Sequence, residues 1–179
     1  MVKKYYKINN PFNNEVVGEA PLLDTHEINK ILINSYEYKC KLNEEKKLNI
    51  LQSTINSLKL EQKSIAHLIT LETGLSLNGA MHEVDRAINC LKYCINQLGI
   101  IGKENLTSEY SLNKLDVKAI LSIYAEPLDL AIGITPFNHP LNLVIHKVGP
   151  AIIAGTPIVI KPSEKTPLTA YKLQNILIQ

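Results

Sequence analysis

The strongest constraint on the fold lies in the last third of the chain, where apolar runs of strand length alternate with helical segments across short loops. Leu128 to Ile134 is an apolar run broken only by Asp129 and Gly133. A helical segment from about Pro140 to Ala154 follows, with Pro140 in its first turn and Gly155 just past its end. Those are the positions where proline and glycine suit a helix. Ile158 to Ile160 reads as a short buried strand, Lys161-Pro162-Ser163-Glu164 as a loop, and Thr166 onward as another helix. Strand, helix, strand, helix with short loops specifies an α/β fold with parallel strands. Two such strands do not make the buried sheet this architecture requires. The chain therefore reads as cut off inside its last helix, at Gln179.

The preceding residues are mainly helical. Ile8 to Ala20 is extended, with a turn at Pro11 to Asn14. Asp24 and Glu27 form a capping box for a helix to about Leu42, with Ile28, Ile31 and Leu32 inward. Asn43 caps a second helix carrying Leu48, Leu51, Ile55 and Leu58 at spacings of three and four. A third holds Ile65, Leu68, Ile69 and Leu71 and stops at Gly74, which tolerates positive φ. A fourth aligns Val84, Ile88, Leu91, Ile95 and Leu98 in one stripe and ends near Gly99. Residues 110–124 then alternate, with Val, Ile and Tyr among them, and suit an antiparallel pair of strands.

Charge narrows the function. The net charge of +2 comes from 19 basic and 17 acidic side chains, scattered without a basic block. That speaks against nucleic acid and against a membrane surface as partners. The opening Met-Val-Lys-Lys-Tyr-Tyr has no apolar run after it, so no signal peptide is expected. Apolar stretches are interrupted too early to span a bilayer, and the expected location is the cytoplasm. Cys90 and Cys94 fall on one helix face, but no ligand-spaced His or carboxylate cluster accompanies them. With Cys40 they read as packing thiols, and no metal is expected.

The chemistry concentrates in residues 133–168. The order is Gly-Ile-Thr-Pro-Phe-Asn-His-Pro-Leu-Asn, then His-Lys-Val-Gly-Pro-Ala-Ile-Ile-Ala-Gly, then Ile-Val-Ile-Lys-Pro-Ser-Glu-Lys-Thr-Pro-Leu. This resembles the aldehyde dehydrogenase superfamily, whose members carry Pro-aromatic-Asn-x-Pro, Pro-Ala-x-x-Ala-Gly and Lys-Pro-Ser/Ala-Glu-x-Thr-Pro in that order. Thr-Pro-Phe-Asn-His-Pro-Leu-Asn is most similar to the phosphonoacetaldehyde and lactaldehyde dehydrogenase branch. Weaker similarity runs through Asn10-Pro11 to Glu15-Val16, Glu72-Thr73-Gly74, Glu83-Val84-x-Arg86 and Glu126-Pro127. Leu128-Asp129-Leu130 departs from the usual Gly-Val pair, Ala125 from a common Arg, and Thr156-Pro157 from Gly-Asn. Asp129, inside an apolar strand, would need a hydrogen-bonding partner.

The resemblance implies an N-terminal part of the aldehyde dehydrogenase fold. Residues 1–105 are then the helical part of the cofactor-binding domain and 106–126 a β arm like the family's oligomerisation segment. Residues 127–179 open the Rossmann-like NAD(P)-binding core. It implies an oxidoreductase taking an aldehyde to a carboxylate with NAD or NADP, homo-oligomeric when complete. No Gly-x-Gly-x-x-Gly is present, so the ordinary dinucleotide fingerprint gives no support. The resemblance instead gives the adenosine ribose to Lys161 and Glu164 at a strand's C-terminal end, with Pro162 and Ser163 between them. Thr135, Pro136 and Phe137 line the cleft, largely through backbone. Glu164 repels a 2′-phosphate and favours NAD, whereas Lys161 and Ser163 suit NADP as well.

Asn138 is implied as the catalytic group, its amide donating to the oxyanion when a Cys thiolate attacks the aldehyde; its ordinary role would be to cap the following helix. The nucleophilic Cys and the Glu that activates water lie well downstream in family members. Cys40, Cys90 and Cys94 precede the motif, so this chain alone should be inactive. The alternative is a non-catalytic cofactor-binding or structural module that pairs with a separate chain carrying the catalytic domain. His139 and Arg86 fall on the implied substrate tunnel and would suit a small aldehyde with an anionic tail. Against this, Arg86 pairs with Glu83 or Asp85 and His139 is a neutral spacer.

Overall fold

A computed structural model describes residues 4–100, 106–112, 117–123 and 126–178. The chain opens with a hairpin, β1 (Lys4–Asn9) and β2 (Val16–Leu22), paired antiparallel with a register shift at Ile8/Asn9. Asn14 takes φ 62° in its turn, a conformation asparagine tolerates better than most residues. Four helices follow: α1 (Thr25–Glu37), α2 (Glu44–Leu60), α3 (Gln62–Thr73) and α4 (Leu77–Gln97). The expected antiparallel pair is β3 (Leu106–Leu112) with β4 (Val117–Ile123), Leu106 opposite Ile123. Residues 113–116 and Ala125 lie outside the described residues. The α/β part comprises β5 (Ala131–Ile134), α5 (Asn142–Ala154), β6 (Ile158–Lys161) and α6 (Pro167–Leu177). β5 and β6 are parallel, Gly133 opposite Ile160.

Local start and stop signals act as their chemistry dictates. Both halves of the Asp24–Glu27 capping box form, and the Asn43 side chain accepts from the Lys46 N–H. Gly74 and Gly155 end α3 and α5 at φ 74° and 81°, values at which a side chain would strain the backbone.

One apolar core joins the helices to the α/β part. Leu51, Ile55, Leu58, Ile65 and Ile69 meet Val84, Ile88 and Leu91, and then Leu141, Val144, Ile145, Leu173 and Ile176. α5 lies close on α4 because Gly149 has no side chain: a Cβ there would sit 2.8 Å from the Cys94 sulfur. Burial pushes the Cys94 thiol up to about 11, with Cys90 beside it adding to the shift. That is a packing thiol, held in its neutral form.

Three expectations need correction. α1 ends at Glu37 and not near Leu42, where Tyr38 turns extended and Lys39 reaches across to Asp129 at 3.0 Å. Its apolar residues are not inward: none is buried, and Ile28 and Ile31 are 44% and 40% exposed. Amphipathicity marks a face but does not supply a partner for it. Asp129 lies outside the strand, which begins at Ala131, so its carboxylate stays at the surface with Lys39.

The two-stranded parallel sheet leaves Ile132 and Ile134 of β5 exposed at 58% and 68%. No helix among the described residues is long and apolar enough to cross a membrane.

Candidate active site

The site is built where β5 and β6 end side by side. The Thr135 N–H donates to the Lys161 carbonyl at 3.2 Å, extending the parallel ladder one step beyond the strands. This brings together the segments 135–139 and 161–165, both at C-terminal strand ends, where open α/β sheets bind ligands.

On the first segment Thr135 is buried, Pro136, Phe137 and Asn138 are exposed, and Pro140 is buried. Asn138 thus stands out from a turn anchored on both sides. It does not cap α5: the N-cap is Leu141, which has no side-chain cap bond. The donors at that helix start are met from α4, where Glu83 Oε1 accepts the N–H of Leu141 at 2.9 Å and of Asn142 at 3.1 Å.

On the second segment the Lys161 ammonium lies 3.5 Å from the Glu164 carboxylate, both side chains well exposed at 61% and 70%. The Glu164 backbone N–H, and after it the bond and charge of Lys161, hold its carboxyl below the ordinary glutamate value. Ser163 is buried and shapes the loop: its hydroxyl accepts the Lys165 N–H at 3.2 Å, and its carbonyl accepts from Thr166. Pro162 is half-buried and lines a mainly apolar cavity of about 270 Å³ between α5, β6 and α6. Lys165, which the sequence did not single out, lies 4.7 Å over the Phe137 ring. That cation–π contact ties the two segments together.

Arg86 lies on α4 and His139 in the turn that precedes α5. His139 Nδ1 is 3.2 Å from Glu83 Oε2, so the ring is engaged with α4. Arg86 is exposed and makes no ion pair among the described residues. Its two expected partners are occupied elsewhere: Glu83 at α5, and Asp85 with Gln62 at 2.7 Å. Arg86 follows Glu83 by three residues, which puts it on the same helix face.

Sequence reasoning named Glu72 only within a family-like motif and missed its role as a second buried carboxylate. Glu72, at the end of α3, accepts from the N–H groups of Leu168 and Thr169 at 2.6 and 2.9 Å and from the Thr169 hydroxyl at 2.5 Å. It caps α6, whose own N-cap Thr166 has no side-chain bond. Thus α3 and α4 each lend a glutamate to the start of a helix in the α/β part. Among the described residues no group of three or more His, Cys, Asp or Glu is placed to hold a metal.

The paired loops lie at the C-terminal ends of parallel strands, where open α/β sheets bind ligands, and comparison with known proteins gives the family. The aldehyde dehydrogenase family model matches residues 2–179, and the chain belongs to that family. Lactaldehyde dehydrogenase of Methanococcus aeolicus is 31% identical over 178 residues, covering 98% of this chain and 37% of that protein. Aldehyde dehydrogenase 21 from Physcomitrella patens, solved in complex with the reaction product succinate, superposes with a TM-score of 0.81. It shares 26% identity over 98% of this chain and 37% of its own. Glyceraldehyde-3-phosphate dehydrogenase GapN from Methanocaldococcus jannaschii, complexed with NADP, gives a TM-score of 0.79 at 28% identity, over 96% of this chain and 37% of its own. The chain spans little more than a third of the length of these relatives.

Proposed function

We propose that this chain is the cofactor-facing N-terminal part of an NAD(P)-dependent aldehyde dehydrogenase that oxidises an aldehyde to a carboxylate. The observation that carries this reading is the Thr135–Lys161 backbone bond, which sets the Asn138 turn beside the Lys161–Glu164 loop. The residues fit a dinucleotide's adenosine ribose. The Lys161–Glu164 pair is exposed and only 3.5 Å apart, so it can exchange its mutual contact for the ribose hydroxyls. When bound, the nicotinamide supplies the hydride acceptor. Thr135, Pro136 and Phe137 form the adjoining wall, and Ser163 and Pro162 fix the shape of the loop. NAD is the expected preference, because an ionised Glu164 repels a 2′-phosphate. Asn138 donates its amide N–H to the aldehyde oxygen as negative charge develops there. The nucleophile comes from the remaining part of the enzyme, and residues 106–126 act as the oligomerisation arm of a cytoplasmic homo-oligomer.

The test is absorbance of reduced nicotinamide with the isolated chain and with a hybrid. In the hybrid this chain replaces the matching third of the Methanococcus aeolicus enzyme. The hybrid should turn over and the isolated chain should not. Turnover by the isolated chain contradicts the placement of the nucleophile elsewhere; a folded hybrid that binds neither NAD nor NADP contradicts the function.

For the substrate we propose a small aldehyde with an anionic tail, met by Arg86 and His139. Arg86 has no competing partner among the described residues, and of the structural relatives one is solved with the reaction product succinate and another is named for a phosphorylated aldehyde. In the hybrid, Arg86→Ala should raise KM for carboxylate or phosphonate aldehydes roughly two- to fivefold, the reach of one partly exposed ion pair. KM for propanal and kcat should stay unchanged, because a contact remote from the reacting carbon is felt equally in ground and transition states. Equal losses for charged and neutral aldehydes reduce Arg86 to a support of its helix.

A further inference from the structure

Glu83 has no solvent contact, its side chain 0% exposed. All of its bonding is directed at one turn of chain: Oε1 takes the Leu141 and Asn142 N–H groups, and Oε2 faces His139 Nδ1. An ionised carboxylate has lone pairs and no proton to give. With Oε1 already taking two N–H groups, the carboxylate form of Glu83 places the hydrogen between Oε2 and the imidazole on Nδ1. Nε2 is left as the ring nitrogen without a partner among the described residues, on a side chain that is one-third exposed at 34%. Any second proton taken up by this ring lands on Nε2 and makes it a donor.

We infer that Glu83 is a positioning residue: it pins the turn that presents Asn138 and fixes the His139 tautomer, so that Nε2 is the atom which, on taking up a proton, donates to the substrate's anionic tail. The inference rests on the roles proposed above for Asn138 and His139. The turn needs such an anchor because nothing local supplies one. Leu141 offers no cap, and helix-start N–H groups left unpaired in a buried site are costly. A neighbour that orients an imidazole through its second nitrogen is a general device for setting which nitrogen does the work.

Glu83→Gln separates this role from simple packing. Two N–H donors converge where Oε1 lies, so the glutamine oxygen must take that place and its NH₂ must face His139. An NH₂ donates, so Nδ1 becomes an acceptor and the proton moves to Nε2. The experiment is ring-nitrogen NMR of the histidine-labelled 179-residue chain at a pH where His139 is neutral, with the signal assigned by its loss in His139→Gln. The wild-type ring should show a protonated Nδ1 and a bare Nε2, and Glu83→Gln should exchange the two. Amide exchange at Leu141 and Asn142 should stay slow in Glu83→Gln and quicken at least tenfold in Glu83→Ala. Should Glu83→Ala fail to fold, the glutamine variant still decides. An unchanged ring in Glu83→Gln, or a bare Nδ1 in the wild type, overturns the inference. This readout needs neither cofactor nor turnover, so failure of the aldehyde dehydrogenase reading would appear in the hybrid and leave the tautomer result standing.

Discussion

Glu72→Ala should destabilise the chain by about 2–5 kcal/mol, the range expected when several buried donors lose their acceptor. The carboxylate is 97 residues distant in sequence from Thr169 yet takes its N–H and hydroxyl together with the Leu168 N–H. Deleting it leaves two helix-start N–H groups and a hydroxyl unpaired, at a place where Thr169 is fully buried. Urea unfolding followed by circular dichroism measures the loss, and a change below about 1 kcal/mol would mean that water satisfies those donors. Glu72 also carries a pH signature. Burial raises its pKa, and the hydrogen bonds from Thr169 and from the Leu168 and Thr169 backbone lower it without cancelling the effect of burial. Because the folded value is the higher one, the folded state holds the proton longer. Stability should therefore fall as pH rises from the ordinary glutamate value to the raised folded value, and be level above it. Glu72→Gln removes the titration and keeps only one of the two accepting oxygens, so that slope should vanish while the stability itself is lowered.

The second large effect concerns Asn138. In the hybrid, Asn138→Ala should lower the rate of the acylation step about 100- to 1,000-fold, or about 2.7–4 kcal/mol, the usual cost of one oxyanion donor. Cofactor affinity should hardly change, because the amide matters once charge develops on the aldehyde oxygen. Asn138 is exposed and does not cap α5, so its removal should spare the fold. Pre-steady-state bursts measure the step directly. An unchanged burst rate would remove Asn138 from the chemistry and leave it a turn residue.

What could be read from the sequence was local chemistry. Asp24 with Glu27, Asn43, Gly74 and Gly155 each act within a few residues of their own position, and each marks the helix end expected of it. The strand–helix–strand order followed from period and punctuation in the same way, whereas the two loops of the site were named by the family resemblance. Long-range pairing left no such mark. Glu72 and Glu83 are helix caps acting across 96 and 58 residues, and in sequence only the resemblance of Glu72-Thr73-Gly74 and Glu83-Val84-x-Arg86 to the family marked them, without a capping role. One indirect signal existed: Leu141 opens α5 with no Ser, Thr, Asp or Asn, so the cap had to come from elsewhere. Asp129 was misplaced because an apolar run does not say where pairing begins. The apolar face of α1 was read as buried because periodicity gives the direction of a face, not its cover.

The central claim is that the ends of β5 and β6 form a nicotinamide-dinucleotide site. Titrating NAD into the nitrogen-labelled chain and following backbone amides tests it most directly. Perturbations should concentrate on Thr135, Phe137 and Asn138 and on Lys161, Ser163, Glu164 and Lys165, and Glu164→Ala should weaken them at least tenfold. Silence of both segments at NAD concentrations well above about 1 mM, where binding is worth only about 4 kcal/mol, or shifts confined to another face of the chain, would contradict it.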